Sequence, residues 1–319
     1  MRIVVIGGGS WGSVFSALLA ERGHDVTLAC RHPEQARAIA ETGRNPRYMT
    51  NAKLDGVRAG PLAGAPFGEA ELVCVAVPSR SFREIAERLE GAAPVLILAK
   101  GLDPATGERL SRLVTGRPVA VLTGPNHAEE IADGMPAAAV IASEDDGLAS
   151  ELQHAIISPR FRVYVNPDLV GVELAAASKN VIALAAGGAD GLGIGDNAKA
   201  ALVARGLAEI TRLGEAFGAR SETFAGLAGI GDLVVTCWSR HSRNRRAGEL
   251  IARGASPEEA EREIGMVVEG LTTASAVRDL GRRRGVEVPV TEAVCQVLEG
   301  RASPADMVAE LMGRMPTEE

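Results

Sequence analysis

Three of the four glycines within the first twelve residues, spaced Gly-x-Gly-x-x-Gly, constrain this chain more than any other feature. Arg2–Ile6 is a short, mostly β-branched run, and Gly7-Gly8-Gly9-Ser10-Trp11-Gly12 follows it directly. Val14, Leu18 and Leu19 then recur at helical spacing up to a stop at Gly23. A strand that passes through Gly-x-Gly-x-x-Gly into a helix predicts a dinucleotide-binding βαβ unit. Gly7 allows the tight turn, Gly9 lets backbone approach a pyrophosphate, and Gly12 lets the helix pack on the strand. Amide N–H groups at the helix start then face the anion.

The following segments extend that unit. Strands are expected at Asp25–Cys30, Leu72–Val77, Val95–Ala99, Val119–Leu122, Ala137–Ala142 and Arg162–Val165, and a helix at Pro33–Thr42. Alternating helices and nearly continuous apolar strands predict an α/β fold, a Rossmann-type doubly wound, mostly parallel sheet covered on both faces. From about Pro167 the strand signals stop. Helical periodicity takes over at Val170–Ala186, Ala198–Phe217, Ser242–Arg253, Pro257–Glu263, Thr272–Arg284, Thr291–Leu298 and Pro304–Met312. The expected organisation is a dinucleotide-binding domain over 1–166 and an all-α domain over 167–319. A length of 319 residues fits two domains of roughly 150 each.

Composition excludes several function classes. A net charge of −7 with 3% aromatic residues leaves neither the basic surface nor the stacking rings of a general nucleic-acid binder. No uninterrupted apolar stretch approaches the ~20 residues that span a bilayer, so membrane insertion is not expected. Met1-Arg2 leads straight into the first strand without a signal-peptide pattern. Cys30, Cys74, Cys237 and Cys295 are far apart and form no CxxC pair. They read as reduced thiols of a cytoplasmic protein, with no metal site.

The end of the second strand bears on cofactor choice. An acid there would bind a ribose 2′-hydroxyl and repel a 2′-phosphate. Arg31, 19 residues after Gly12, stands where the acid is expected, with His32 beside it. Its guanidinium offers a fork to a phosphate, so NADPH is expected in preference to NADH. Pro78, Lys100 and Gly124-Pro125-Asn126 fall at carboxyl ends of strands, where open α/β sheets bind ligands.

Of 34 basic residues only Lys53, Lys100, Lys179 and Lys199 are lysine. Arginine keeps its proton in a protein whereas a buried lysine can lose it, so each lysine is a candidate for chemistry. Between Val170 and Ala189 the only ionisable side chains are Glu173 and Lys179. Desolvation there would lower the Lys179 pKa toward neutrality, which suits a general acid/base. Asp232, after Gly229-Ile230-Gly231, reads either as a helix N-cap or as a group that orients a lysine or a substrate hydroxyl. Ser239–Arg246, SRHSRNRR, carries four arginines in eight residues and would attract phosphate, or simply form a solvated helix face.

Taken together these segments resemble the bacterial NAD(P)-dependent glycerol-3-phosphate dehydrogenase family. The likeness runs from Arg2 to about Gly313. It is carried by Gly7–Gly12, Ala99–Leu102, Gly124-Pro125, Ser178-Lys179-Asn180, Gly226–Cys237, Ser242–Arg246 and Val267–Gly270. It implies reduction of dihydroxyacetone phosphate to sn-glycerol 3-phosphate, a precursor of membrane phospholipid. It also implies a helical domain like the C-terminal domain of 6-phosphogluconate dehydrogenase, and a homodimer.

On the resemblance, Lys179 is the general acid/base, with Lys100 and Asp232 in catalytic roles. The implied substrate set is Lys100, Gly124, Asn126, Lys179, Asn180, Asp232, Thr236, Ser242, Arg243 and Asn244. The implied cofactor set is Gly7, Gly9, Ser10, Trp11, Gly12, Arg31, His32, Pro78, Lys100, Ala128, Arg243, Val267 and Glu269. The chain departs from the family at Asn126-His127, where Ser or Thr followed by Phe is usual. Two alternatives stay open on sequence: an NADP-dependent hydroxyacid dehydrogenase of similar build, which would need a carboxylate clamp, and a non-catalytic NADPH sensor, which would have no need of Lys100, Lys179 and Asp232.

Overall fold

The structure is a computed structural model and describes residues 1–313. It divides into two compact units, one of Met1–Asp103 with Glu108–Glu173, the other of Pro104–Gly107 with the chain from Leu174 onward.

The first unit is built on eight strands: β1 (Arg2–Ile6), β2 (Asp25–Cys30), β3 (Val57–Pro61), β4 (Leu72–Val75), β5 (Val95–Ile97), β6 (Val119–Thr123), β7 (Ala137–Ser143) and β8 (Phe161–Asn166). They form one sheet in the order β3-β2-β1-β4-β5-β6-β7-β8. All pairings are parallel except β6 with β7, where Ala120 opposes Ser143. Every residue of β4 and β5 is buried, as expected of strands covered on both faces. Helices α1 (Ser10–Glu21), α2 (Pro33–Thr42), α3 (Ser79–Glu87), α4 (Ala128–Ala132) and α5 (Asp146–Ile156) complete the unit. Its core joins Ile3, Val5, Phe15, Leu28, Leu96 and Phe161. From β1 the chain winds to β2 and β3 on one side and to β4 and beyond on the other. This reversal opens a crevice at the carboxyl ends of β1 and β4, where such sheets bind ligands.

The sequence reading missed β3. Its five residues, Val-Arg-Ala-Gly-Pro, carry no apolar run because an edge strand needs none, and its closing Pro61 suits an edge. β4 and β5 each end two residues earlier than expected, at Val75 and Ile97.

The second unit is helical. Its long members are α6 (Leu169–Leu192), which begins in the first unit, and α7 (Asp196–Ala216). Then follow α8 (Ser221–Ala225), α9 (Asp232–Trp238), α10 (Arg243–Ala252), α11 (Pro257–Ile264), α12 (Glu269–Arg284), α13 (Pro289–Leu298) and α14 (Pro304–Gly313). Helix α6 has the length and hydropathy of a membrane span, yet 89% of its most apolar stretch is buried within the protein. Its apolar surface is taken up by neighbouring helices. Glycines let α10 press against it: a Cβ on Gly187 would sit 1.8 Å from the Arg245 carbonyl oxygen, and one on Gly248 would sit 1.9 Å from that of Leu184. Helix α11 is opened by a capping box between Ser256 and Glu259 and closed by left-handed Gly265. All four cysteines are buried and unpaired. Burial pushes the Cys30 and Cys295 thiols up to about 11 and Cys237 to about 12, so they are thiols and not thiolates at neutral pH.

Candidate active site

In the first unit the glycine turn has three different reasons for its glycines. Gly7 has φ +114°, and a Cβ on it would lie 2.5 Å from the Ala76 carbonyl oxygen at the end of β4. A Cβ on Gly12 would lie 2.0 Å from the Gly7 carbonyl oxygen, so helix and turn could not close up. A Cβ on Gly9 would meet no protein atom within 4 Å. Nothing in the chain requires glycine there, and the requirement falls on something that approaches from outside. Gly9 caps α1 with no side-chain acceptor for its first-turn amides, and the buried indole N–H of Trp11 has no hydrogen-bond partner. Unfilled donors at a helix N-terminus, beside an open glycine, fit the pyrophosphate of a dinucleotide. Arg31 and His32 are exposed just past the end of β2, and Pro78 precedes the first turn of α3.

Lys100 follows β5 and is half-buried. Its Nζ donates to the Gly124 carbonyl oxygen at 3.0 Å and to Asn126 Oδ1 at 2.8 Å. Gly124, just past β6, has φ +129°, which favours glycine. Asn126 is buried, and its Nδ2, turned away from the lysine, has no hydrogen-bond partner. A ligand oxygen would satisfy that donor. His127 is half-buried at the N-cap of α4, and Ala128 opens that helix.

In the second unit Lys179 sits mid-way along α6, 5% exposed. Its Nζ donates to Asp232 Oδ1 at 2.5 Å and to Thr236 Oγ1 at 2.7 Å. The Thr236 hydroxyl donates in turn to the Asp232 backbone carbonyl at 2.6 Å, which leaves its lone pairs for the lysine. Sequence foresaw a lysine on an apolar helix. Asp232, itself buried, supplies the opposite charge a buried ammonium needs, which is the lysine-orienting role that sequence offered beside the N-cap. Asp232 is not a cap: a π-helical turn, Leu227–Gly231, runs straight into α9, and Gly231 already has helical dihedrals.

One residue on, Asn180 Oδ1 accepts from Asn244 Nδ2 at 3.0 Å. Asn244 Oδ1 accepts from the Gly270 amide at 2.8 Å. Helices α6, α10 and α12 therefore meet at one buried amide pair. The four clustered arginines are sorted by their partners. Arg245 pairs with Asp190 and Glu249, and Arg246 with Glu263. Arg240 lies against His241. Arg243 donates to the Val267 carbonyl at 3.0 Å and, among the described residues, faces no carboxylate. Its charge stands at the N-terminus of α10, where Ser242 caps by accepting from the Arg245 amide. A cation beside a helix N-terminus favours an anion. Glu269 opens α12, two residues from Val267.

Comparison with known proteins assigns these units. The model of the NAD-dependent glycerol-3-phosphate dehydrogenase N-terminus matches residues 2–149, and that of the C-terminus matches 168–309. The chain belongs to the NAD-dependent glycerol-3-phosphate dehydrogenase family. A glycerol-3-phosphate dehydrogenase [NAD(P)+] of Moorella thermoacetica is 48% identical over 99% of this chain and 97% of its own length. One from Salinibacter ruber is 46% identical over 98% and 94%. The crystal structure of glycerol-3-phosphate dehydrogenase from Coxiella burnetii superposes with a TM-score of 0.94 at 36% identity, covering 98% of this chain and 99% of that one. Membership of the glycerol-3-phosphate dehydrogenase family decides against the hydroxyacid dehydrogenase alternative.

Within this member of the family, two groups near the glycine turn escaped the sequence reading. Gln35 Nε2 and Asn45 Nδ2 both donate to the Gly8 carbonyl, at 2.6 and 2.9 Å, and Asn45 also reaches Ser13. Both side chains are buried. A buried Gln or Asn in an otherwise ordinary segment was the one signal available.

Proposed function

We propose that this chain reduces the C2 carbonyl of dihydroxyacetone phosphate to sn-glycerol 3-phosphate with NADPH, and runs the reverse reaction when product is in excess. Bound reduced nicotinamide supplies the hydride. Lys179 gives its proton to the C2 oxygen as that oxygen gains charge, and takes it back in the oxidation. Asp232 and Thr236 hold the ammonium in one orientation, so the proton is delivered along a fixed line. Arg243, Ser242 and Asn244 take the substrate phosphate, and Asn180 fixes Asn244. Lys100 contacts substrate and cofactor, with Gly124 and Asn126 beside it. The glycine turn takes the pyrophosphate. Ser10, Trp11, Pro78, Ala128, Val267 and Glu269 line the cofactor, and Arg31 with His32 meets its 2′-phosphate.

The observation that carries this reading is the adjacency on α6. Lys179, buried and paired, is followed by Asn180, which is hydrogen-bonded to the residue next to Arg243. A proton donor thus stands one residue from the anchor of an anion site. We further propose that the product feeds phospholipid synthesis, that the enzyme works in the cytoplasm and that it assembles as a homodimer.

The test is NADPH consumption by the purified protein with dihydroxyacetone phosphate, beside Lys179→Ala. Loss of a general acid is expected to lower kcat by about 10²–10⁴-fold while NADPH still binds. Turnover that survives the substitution would remove Lys179 from the reaction.

A further inference from the structure

Lys199 is the buried lysine that the reaction does not use. It lies in the first turn of α7, 4% exposed, in a chain that otherwise prefers arginine. Its Nζ donates to both carboxylate oxygens of Asp190, at 2.9 and 2.8 Å. The same carboxylate accepts from Arg245 Nε at 2.6 Å. The ammonium also lies 4.9 Å from the centre of the Trp238 ring, at the end of α9. One carboxylate on α6 therefore holds α7 and α10, and the lysine it holds touches the helix that carries Asp232 and Thr236.

The glycine contacts between α6 and α10 set how closely the two helices approach. Asn180 and Asn244 join the two helices at one level. The bond from Asp190 to Arg245 joins them at a second, further along α6, and Arg245 directly follows Asn244. Lysine suits position 199 because a compact ammonium fits between a carboxylate and an indole face where a guanidinium fork is larger.

We propose that Asp190 and Lys199 are positioning residues for substrate phosphate. Asp190 fixes the register of α10 and so the place of Arg243 and Asn244, and Lys199 fixes Asp190. This rests on the assignment of α10 to the phosphate under Proposed function. Neither residue contacts the Lys179 amine, so proton transfer is left intact.

The experiment compares dihydroxyacetone phosphate with unphosphorylated dihydroxyacetone in wild type, Asp190→Asn, Lys199→Met and Arg243→Ala. In Asp190→Asn and Lys199→Met the KM for dihydroxyacetone phosphate is expected to rise at least tenfold with kcat within about threefold. Their kcat/KM for dihydroxyacetone is expected to stay within about twofold of wild type. A merely structural role would depress both substrates together or lower only the melting temperature, and either result overturns the inference. Asp190→Asn leaves Lys199 buried without its anion. If it does not fold, the double variant Asp190→Asn/Lys199→Met removes both charges and carries the same expectation. If Arg243→Ala loses phosphate selectivity while the Asp190 and Lys199 variants keep it, the positioning role fails and the function stands. If no variant changes the selectivity, the phosphate binds elsewhere and both readings of α10 fall.

Discussion

The carbonyl of Gly8 points inward between two buried amides, and that orientation fixes which way the adjoining amide N–H groups face. Losing one amide would leave a buried acceptor with half its partners, at a cost of about 1–3 kcal/mol. Asn45→Ala is therefore expected to weaken NADPH binding by about tenfold, with kcat at saturating cofactor unchanged. Fluorescence titration checks the first and steady-state rates the second; an unchanged dissociation constant would mean that the turn is rigid without Asn45. The residues that could be read from sequence were those whose spacing is itself chemical. Gly7, Gly9 and Gly12 announce a turn, and Arg243 stands in a run of charge. Gln35 and Asn45 could not be read, because they act on Gly8 from 27 and 37 residues away. Asp232 could be named as a group that orients a lysine, but its bond to Lys179 spans 53 residues and no local pattern shows it.

Helix α13 shows what one element requires of another. Its first amides, on Val290 and Thr291, donate to the carboxylate of Glu209 at 2.6 and 3.0 Å, and the Thr291 hydroxyl donates at 2.5 Å. Glu209 is fully buried on α7, and burial raises its carboxyl above the usual range despite those donors. A folded value above the unfolded one, about 4.3, means that the native state holds the proton more tightly. That contribution to stability is full below about pH 4.3 and is lost as pH rises through the folded value. Glu209→Gln cannot titrate. The stability of wild type relative to this variant is expected to fall from pH 4 upward, read from urea midpoints of both proteins. A difference that is flat or rises with pH would show that the hydrogen bonds outweigh burial. At this scale the long helices and the buried strands were legible, because their periodicity is their own, and the single-turn α8 was not. The sequence reading missed β3, whose place is decided by the neighbour it pairs with, and it started α12 and α13 late because their first turns are polar or proline-led.

At the scale of the whole molecule, a chain of net charge −7 must bind anions. On the proposed reading it does so by concentrating positive potential locally, at the N-termini of α1 and α10 and at exposed Arg31, within a surface of net negative charge. Cofactor choice can therefore be read thermodynamically, without turnover. A ligand that binds only the folded state stabilises it by RT ln(1 + [L]/Kd), about 2.7 kcal/mol at a hundred times Kd. NADPH and NADH differ only in the 2′-phosphate. If Arg31 pairs with that phosphate, a hydrogen bond to a charged group of about 1.5–3 kcal/mol separates them. At equal concentration NADPH is then expected to raise the first unfolding transition further than NADH does. Arg31→Asp places like charge against the phosphate and offers an acceptor to the ribose hydroxyl, so the order should reverse. An unchanged order in the variant would move the 2′-phosphate away from the end of β2. Equal shifts by both cofactors in wild type would mean that the exposed guanidinium binds no phosphate at all.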